Sequence, residues 1–216
     1  MSTSQPRRKA IRPWMVGLVV AIVVIVVASF NVKVVGLDEV AAENAARDFD
    51  PVAFADENFD KTIVPDIQEN AIDLATLLAD LDGGAEESEF GNTSGASSAY
   101  AFPVTFTAVA GKLKAPILPV TVDGVPSDVT VQIQVGPALS GTALRDVTGT
   151  VDFNDFSNQL DYQQAAGELN NRVKDEVLAD FDAAAAEGKT IIVTGAFLRV
   201  NPALISVVPI SIEVAP

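Results

Sequence analysis

The chain contains no cysteine and no histidine, one tryptophan and two tyrosines, and only 14 basic residues against 29 acidic ones. Without a thiol or an imidazole it has no thiolate nucleophile, no imidazole base, no Ser-His-Asp triad, no common zinc site and no histidine-held haem. Disulfides are excluded too, so an exported domain would be held by its core alone. Carboxylates, lysine, tyrosine, serine and threonine are left for chemistry. No EF-hand spacing is present, and neither a metal nor a cofactor is expected. The formal net charge is −15, and four of the basic residues, Arg7, Arg8, Lys9 and Arg12, lie in the first twelve positions. Beyond Phe30, 10 basic residues face all 29 acidic ones, a net of −19. A surface of that sign repels polyanions, so nucleic acid is not an expected partner.

What the chain has in abundance begins at Trp14. Residues 14–30, WMVGLVVAIVVIVVASF, form an uninterrupted apolar run of seventeen residues after a basic tail. That length is near the lower limit of a membrane span; extension through Pro13 and past Asn31 makes a helix of about twenty residues. The upstream positive charge predicts an N-in, C-out single-pass anchor over 13–33, with a cytoplasmic tail over 1–12. The competing reading is a cleaved signal peptide ending at Val26-Val27-Ala28, before Ser29. A buried soluble helix, apolar on every face, is the third.

The most informative stretch runs from Val131 to Leu178, where strand-like alternation gives way to a glycine-punctuated loop and then to a helical pattern. At 100° per residue Phe156, Leu160, Ala166, Leu169, Val173, Val177, Leu178 and Phe181 share one side, opposite Asp161, Glu168, Arg172, Asp175 and Asp182. Asp155 as cap and Gly188 as stop predict a helix over 155–187. Gln159, Gln163 and Asn170 fall inside the apolar stripe, where buried amides need partners. Arg145 and Asp146 in the preceding loop are the charged candidates. Gly136 and Gly141 permit tight turns there. Arg145 is expected to be buried, pairing with Asp146 or Asp155 and with the amide oxygens of Asn158 or Gln159, so that it staples the loop to the first helical turn. The same residues suit either a structural network or a ligand site.

The order Gly136-Pro137, Gly141-Thr142-Ala143-Leu144-Arg145-Asp146, Phe153-x-x-Phe156, Asn158-Gln159 and Leu169-Asn170 resembles an uncharacterised family of predicted periplasmic lipoproteins of bacteria. The resemblance implies an extracytoplasmic, membrane-tethered protein with no established activity. Members are often encoded near sugar transporters of the ATP-binding-cassette type, which implies an accessory role in solute handling, with transporter components or a small solute as partners. Gly136, Gly141, Thr142, Arg145, Asp146, Asn158, Gln159 and Asn170, which lie in this stretch, are the candidate binding residues. Such a family carries a lipidated cysteine after its signal. This chain has none, and a transmembrane anchor would supply the same tether.

Elsewhere, Leu37 to Arg47 reads as helix, and Asp50-Pro51 as a cap and first helical position opening a short helix toward Asn58. Another is expected from Pro65, capped by Asp66, with Ile67, Ala71, Leu74, Leu78 and Leu81 on its core face. Residues 34–82 would form a helical extension. The glycine-, serine- and acid-rich residues 83–99 read as a flexible loop, either a connector or a functional segment. Period-two alternation predicts strands at Phe102–Ala108, Ile117–Val122, Val129–Val135, Thr190–Val200 and Leu204–Val214, with turns at Asp123-Gly124 and Asn201-Pro202. Pro116 and Pro119 suggest that the second strand is an edge or bulged.

Three strands, a helix and two strands make an α+β domain over 100–216, a five-stranded antiparallel OB-like Greek-key barrel with the long helix between strands three and four. An open α+β sandwich fits the same order. Three function classes stay open: an anchored binding or accessory module, a protein–protein adaptor of the cell envelope, and an enzyme working through Asp146, Asp152 and Asp155 beside Arg145. No catalytic residue is assigned, because acids this dense are expected of a chain with 29 of them.

Overall fold

The computed structural model describes residues 49–94 and 99–216. Asp50 acts as the cap its sequence predicts: Oδ1 accepts from the backbone N–H of Val52 and Ala53, both at 3.0 Å, and α1 runs Pro51–Asn58 with proline in its first turn. A π turn, Phe59–Ile63, leads into α2, Val64–Asn70. The single helix expected from Pro65 onward is broken. Asp66 lies inside α2 and caps nothing, and Ala71 turns extended, with ψ 123°. The two-residue β1, Ile72–Asp73, then pairs in parallel with Val104 and Thr105. Asp73 restarts the chain as α3, Leu74–Asp82, by accepting from the N–H and hydroxyl of Thr76 at 2.9 Å each. An aspartate that can satisfy free N–H groups makes a new helix start competitive with continuing the old one. The break sends Ile67 and Leu74 into different cores.

The strands are β2 (Ala101–Ala110), β3 (Ile117–Val122), β4 (Thr130–Gln134), β5 (Thr190–Leu198) and β6 (Leu204–Val214). Antiparallel β2–β3, β3–β4, β5–β6 and β2–β5 pairs and a parallel β4–β6 pair close them into a barrel. The order agrees with the OB-like expectation, with the helix between the third and fourth barrel strands. The barrel is not antiparallel throughout as expected, because β4 and β6, joined by the long helical crossover and β5, close it as a parallel pair. β3 is an interior strand, contrary to the edge that its prolines suggested. Pro119 lies past the last β2–β3 pair, Ala110 with Val120, so its missing N–H interrupts no rung of that ladder.

Two cores share the strands. Phe102, Phe106, Leu118, Ile133, Ile191, Val193, Phe197, Ile205 and Val207 fill the barrel with Leu74, Leu77 and Leu78 of α3. Ala101, Ala196, Val208 and Ile210 form an outer face against Ala55, Phe59, Ile63, Ile67, Leu144, Leu169 and Val173. Strict alternation along β2 and β5 therefore holds only where the outer face is wet, and stops where helices cover both faces. Gly195 lies at a β-bulge between these regimes; a Cβ there would stand 2.3 Å from the Val208 carbonyl oxygen and 2.8 Å from Pro209 Cα. Backbone cannot yield as a flexible side chain can, so Gly195→Ala is expected to cost about 1–3 kcal/mol in a denaturant melt. An unchanged midpoint would show that the barrel corner tolerates a side chain.

Within the stretch 83–99 read as a loop, residues 83–94 make specific contacts with the barrel. Glu87–Glu89 forms a 3₁₀ turn, Glu87 pairs with Arg199, Phe90 packs on the barrel core, and Asn92 bridges to Ala101. Phe49–Pro216 is one compact unit, and residues 49–82 of the expected helical extension are part of it. The anchor expected over 13–33, the tail over 1–12 and the helix at 37–47 lie outside the described residues. Among those described, no helix is long and apolar enough to cross a membrane.

The helix expected over 155–187 is shorter. Asp152 and Asp155 close a capping box around a 3₁₀ turn, Phe153–Asp155, and Phe156 is extended. Asn158 is the true cap, and α5 runs Gln159–Arg172 before a π turn at Val173–Val177. The alanine run forms turns: Asp182 Oδ1 accepts from Ala184 and Ala185, and the N–H of Gly188 bonds the Ala110 carbonyl, which feeds the chain into β5 beside β2. The buried side of α5 is Tyr162, Ala165, Ala166, Leu169, Asn170 and, one turn on, Val173. Leu160, expected inside, is exposed. At its end Arg172 holds α1 and the first π turn through Asp56 (2.5 Å), Asp60 (2.8 Å) and its own neighbour Glu176 (2.5 Å).

Candidate functional site

The loop between β4 and α5 is shaped by its own side chains. Gly136 and Gly141 both adopt positive φ, 82° and 93°, where a Cβ would be strained. Gln134, at the end of β4, closes the loop by accepting from the Ser140 N–H at 2.8 Å and donating to its carbonyl at 3.1 Å. Asn170 reaches from α5 to the Gly141 carbonyl at 3.0 Å, and Asn92 donates to the Val147 carbonyl at 2.7 Å. These bonds hold the one-turn helix α4, Ala143–Asp146, against the barrel.

Arg145 and Asp146 are each 4% exposed. Arg145 Nε donates to Asp146 Oδ1 at 2.7 Å, and one terminal nitrogen donates to the Tyr162 carbonyl at 2.9 Å. The guanidinium also lies 3.4 Å from the centre of the Tyr162 ring, a cation–π contact strengthened by the absence of solvent. The Thr142 hydroxyl donates to the second carboxylate oxygen of Asp146 at 2.6 Å. Arg145 thus joins the loop to the first turn of α5, but through a backbone carbonyl and an aromatic face. Neither Asp155, Asn158 nor Gln159 is its partner. Burial pushes the Tyr162 phenol above its ordinary value, and a hydrogen bond with Ser94 and the Arg145 charge pull the other way, so at neutral pH it is a protonated donor.

Above this pair opens a cleft of about 540 Å³ lined by Thr142, Arg145, Asp146, Gln159 and Tyr162, with Phe153, Leu198 and Val200 as its apolar wall. Phe153 stands edge-on to Tyr162 at 5.4 Å between centroids and is 40% exposed. Phe156 backs Tyr162 at 5.1 Å and continues into Phe49 and Phe54.

Of the residues singled out from sequence, Thr142, Arg145, Asp146 and Gln159 meet in the cleft. Gly136, Gly141 and Asn170 shape or hold the loop. Asn158 caps α5, accepting from Leu160 at 2.8 Å and Asp161 at 3.0 Å. Asn170 is a buried amide with its partner, as the stripe predicted; Gln159 and Gln163 are exposed, because the helix is rotated to bury Tyr162 instead. Tyr162, Phe153, Leu198 and Val200 were missed. Two of them left a signal: Phe153 in the Phe153-x-x-Phe156 pattern, and Tyr162 as one of two tyrosines in the chain, set on a helix.

Comparison with known proteins gives the same architecture from another direction. An OB-fold protein from Thermotoga maritima, known from its crystal structure, is 22% identical and superimposes with a TM-score of 0.62 over 77% of this chain and 99% of its own. At that identity the likeness speaks for the fold. No curated protein matches the chain. The sequence profile of a family described as predicted periplasmic lipoprotein (DUF2291) matches residues 20–213, nearly the whole length and all of the loop, helix and cleft described above, and the chain therefore belongs to that family.

Proposed function

We propose that the chain is an extracytoplasmic accessory protein, held at the membrane by residues 13–33 with its N-terminus inside, that binds a small neutral solute in the Arg145 cleft. The solute class that fits is polyhydroxylated, and ABC-type sugar uptake is the system it would serve. The observation that carries this is the pairing, in one cleft of about 540 Å³, of a 40% exposed aromatic ring with hydroxyl, amide and carboxylate groups. A sugar presents the matching combination of an apolar ring face and hydroxyl edges. Arg145 and Asp146 cancel each other at the floor, which favours an uncharged ligand. On this reading the protein is not an enzyme. Asp152 and Asp155 are occupied in a capping box, and Asp146 is paired with Arg145, so none of these three carboxylates is poised as acid or base.

The test is a thermal melt of the full chain in non-ionic detergent against a panel of sugars and other metabolites. A ligand of the native state present at a hundred times its Kd adds about 2.7 kcal/mol and raises the midpoint. Phe153→Ala is expected to leave the unliganded midpoint in place and to abolish that rise. A panel without any shift, or a shift that survives Phe153→Ala, would overturn the assignment.

A further inference from the structure

Among the described residues β6 runs on past the end of its partner β4. β4 pairs with β6 only over Leu204–Val207, whereas β5 pairs with β6 out to Val214. The Ala215 N–H bonds the Thr190 carbonyl. By the alternation of an antiparallel ladder, Glu213 and Ser211 then also turn their backbone groups toward β5. Ile212 and Val214 turn theirs the opposite way, where no bond among the described residues engages them. Beside this edge runs a groove of about 340 Å³ whose apolar walls are Val177, Phe181, Ile212 and Val214. Its rim carries Asp180, Asp182 and Glu213 against a single Lys189. Unpaired N–H and C=O groups next to apolar pockets are what strand addition uses: the backbone supplies affinity and alternate side chains supply selectivity.

We propose that this groove takes an extended segment of a partner protein, with alternating apolar and basic residues, as an added strand on β6. The acidic rim selects for lysine or arginine on the incoming strand. It also argues against a second copy of this chain, whose own edge carries the same negative charges within a protein of net −15. This surface is distinct from the Arg145 cleft in its lining residues, so a solute and a protein partner would be held by different parts of the domain.

The experiment measures fluorescence anisotropy of a short labelled peptide of alternating valine and lysine, titrated with the full chain in non-ionic detergent. Saturable binding is expected. It should weaken at least about tenfold when alternate peptide amides are N-methylated, and equally when glutamate replaces lysine. Val214→Pro removes the outward N–H without touching the β5 ladder, and should weaken binding about as much with the melting midpoint unchanged. Asp180→Lys combined with Glu213→Lys should transfer the preference to the glutamate peptide. Absence of saturable binding overturns the proposal. So does equal binding of the N-methylated peptide, which needs no protein variant and would reveal mere charge attraction. Binding that ignores the charge swap overturns the basic partner.

Discussion

Arg145→Ala is expected to lower the unfolding free energy by about 3–5 kcal/mol, the range for removing one partner of a buried ion pair. The loss has three parts. Asp146, 3% exposed at its side chain, would keep its charge with the Thr142 hydroxyl and the distant Tyr162 phenol to answer it. The Tyr162 carbonyl would lose a charge-assisted donor, and the Tyr162 ring would lose the plane stacked on it. Arg145→Lys should restore only part of this. An ammonium carries the charge but cannot bond Asp146 and the Tyr162 carbonyl from one rigid fork while lying flat on the ring. Removing both charges should cost less than the sum of the single losses, because the double variant leaves no unpaired ion. Urea melts of the four proteins decide it; a loss under about 1 kcal/mol for Arg145→Ala would mean that water replaces the guanidinium.

The other large effect belongs to the barrel core. Phe197 and Phe102 are cross-strand partners of β5 and β2, both fully buried, stacked at 5.4 Å between centroids with 26° between planes. Phe197→Ala is expected to cost about 3–5 kcal/mol, combining lost transfer energy with a cavity that the closed strands cannot collapse around. Phe197→Leu should cost less than about 1.5 kcal/mol if the volume is largely refilled. Equilibrium unfolding gives both numbers. A small Phe197→Ala loss would show that the barrel end relaxes inward, against the constraint set by continuous β2–β5 pairing.

Much of this was legible because it is local. A cap needs one side chain and the next few N–H groups, and Asp50-Pro51 could be read directly. Strands need only alternation, so the ends of β3 and β6 were readable to the residue, as was the turn at Asp123-Gly124, where glycine takes a positive φ. Gly136 and Gly141 announced the loop for the same reason. The missing cysteine and histidine excluded whole chemistries without any structure. Other features arise from competition between distant parts of the chain. Helical periodicity could not show that Asp73 would restart a helix, because the break is fixed by pairing of Ile72 and Asp73 with β2. It could not show that the alanine run would turn, because that follows from delivering Lys189 beside Ala110.

The sequence by itself determined the order of the five barrel strands with a helix between the third and fourth, the acidic character and the buried arginine. Only the tertiary structure decided that Arg145 chooses the Tyr162 carbonyl and ring over the side chains of Asp155, Asn158 and Gln159, that Phe153, Leu198 and Val200 gather at one cleft, and that β6 outruns β4. The physical reason is range. Propensity and capping act over a few residues, whereas barrel closure and the rotation of α5 minimise exposed apolar area between parts of the chain more than a hundred residues apart, such as Ile63 and Leu169 in the outer core.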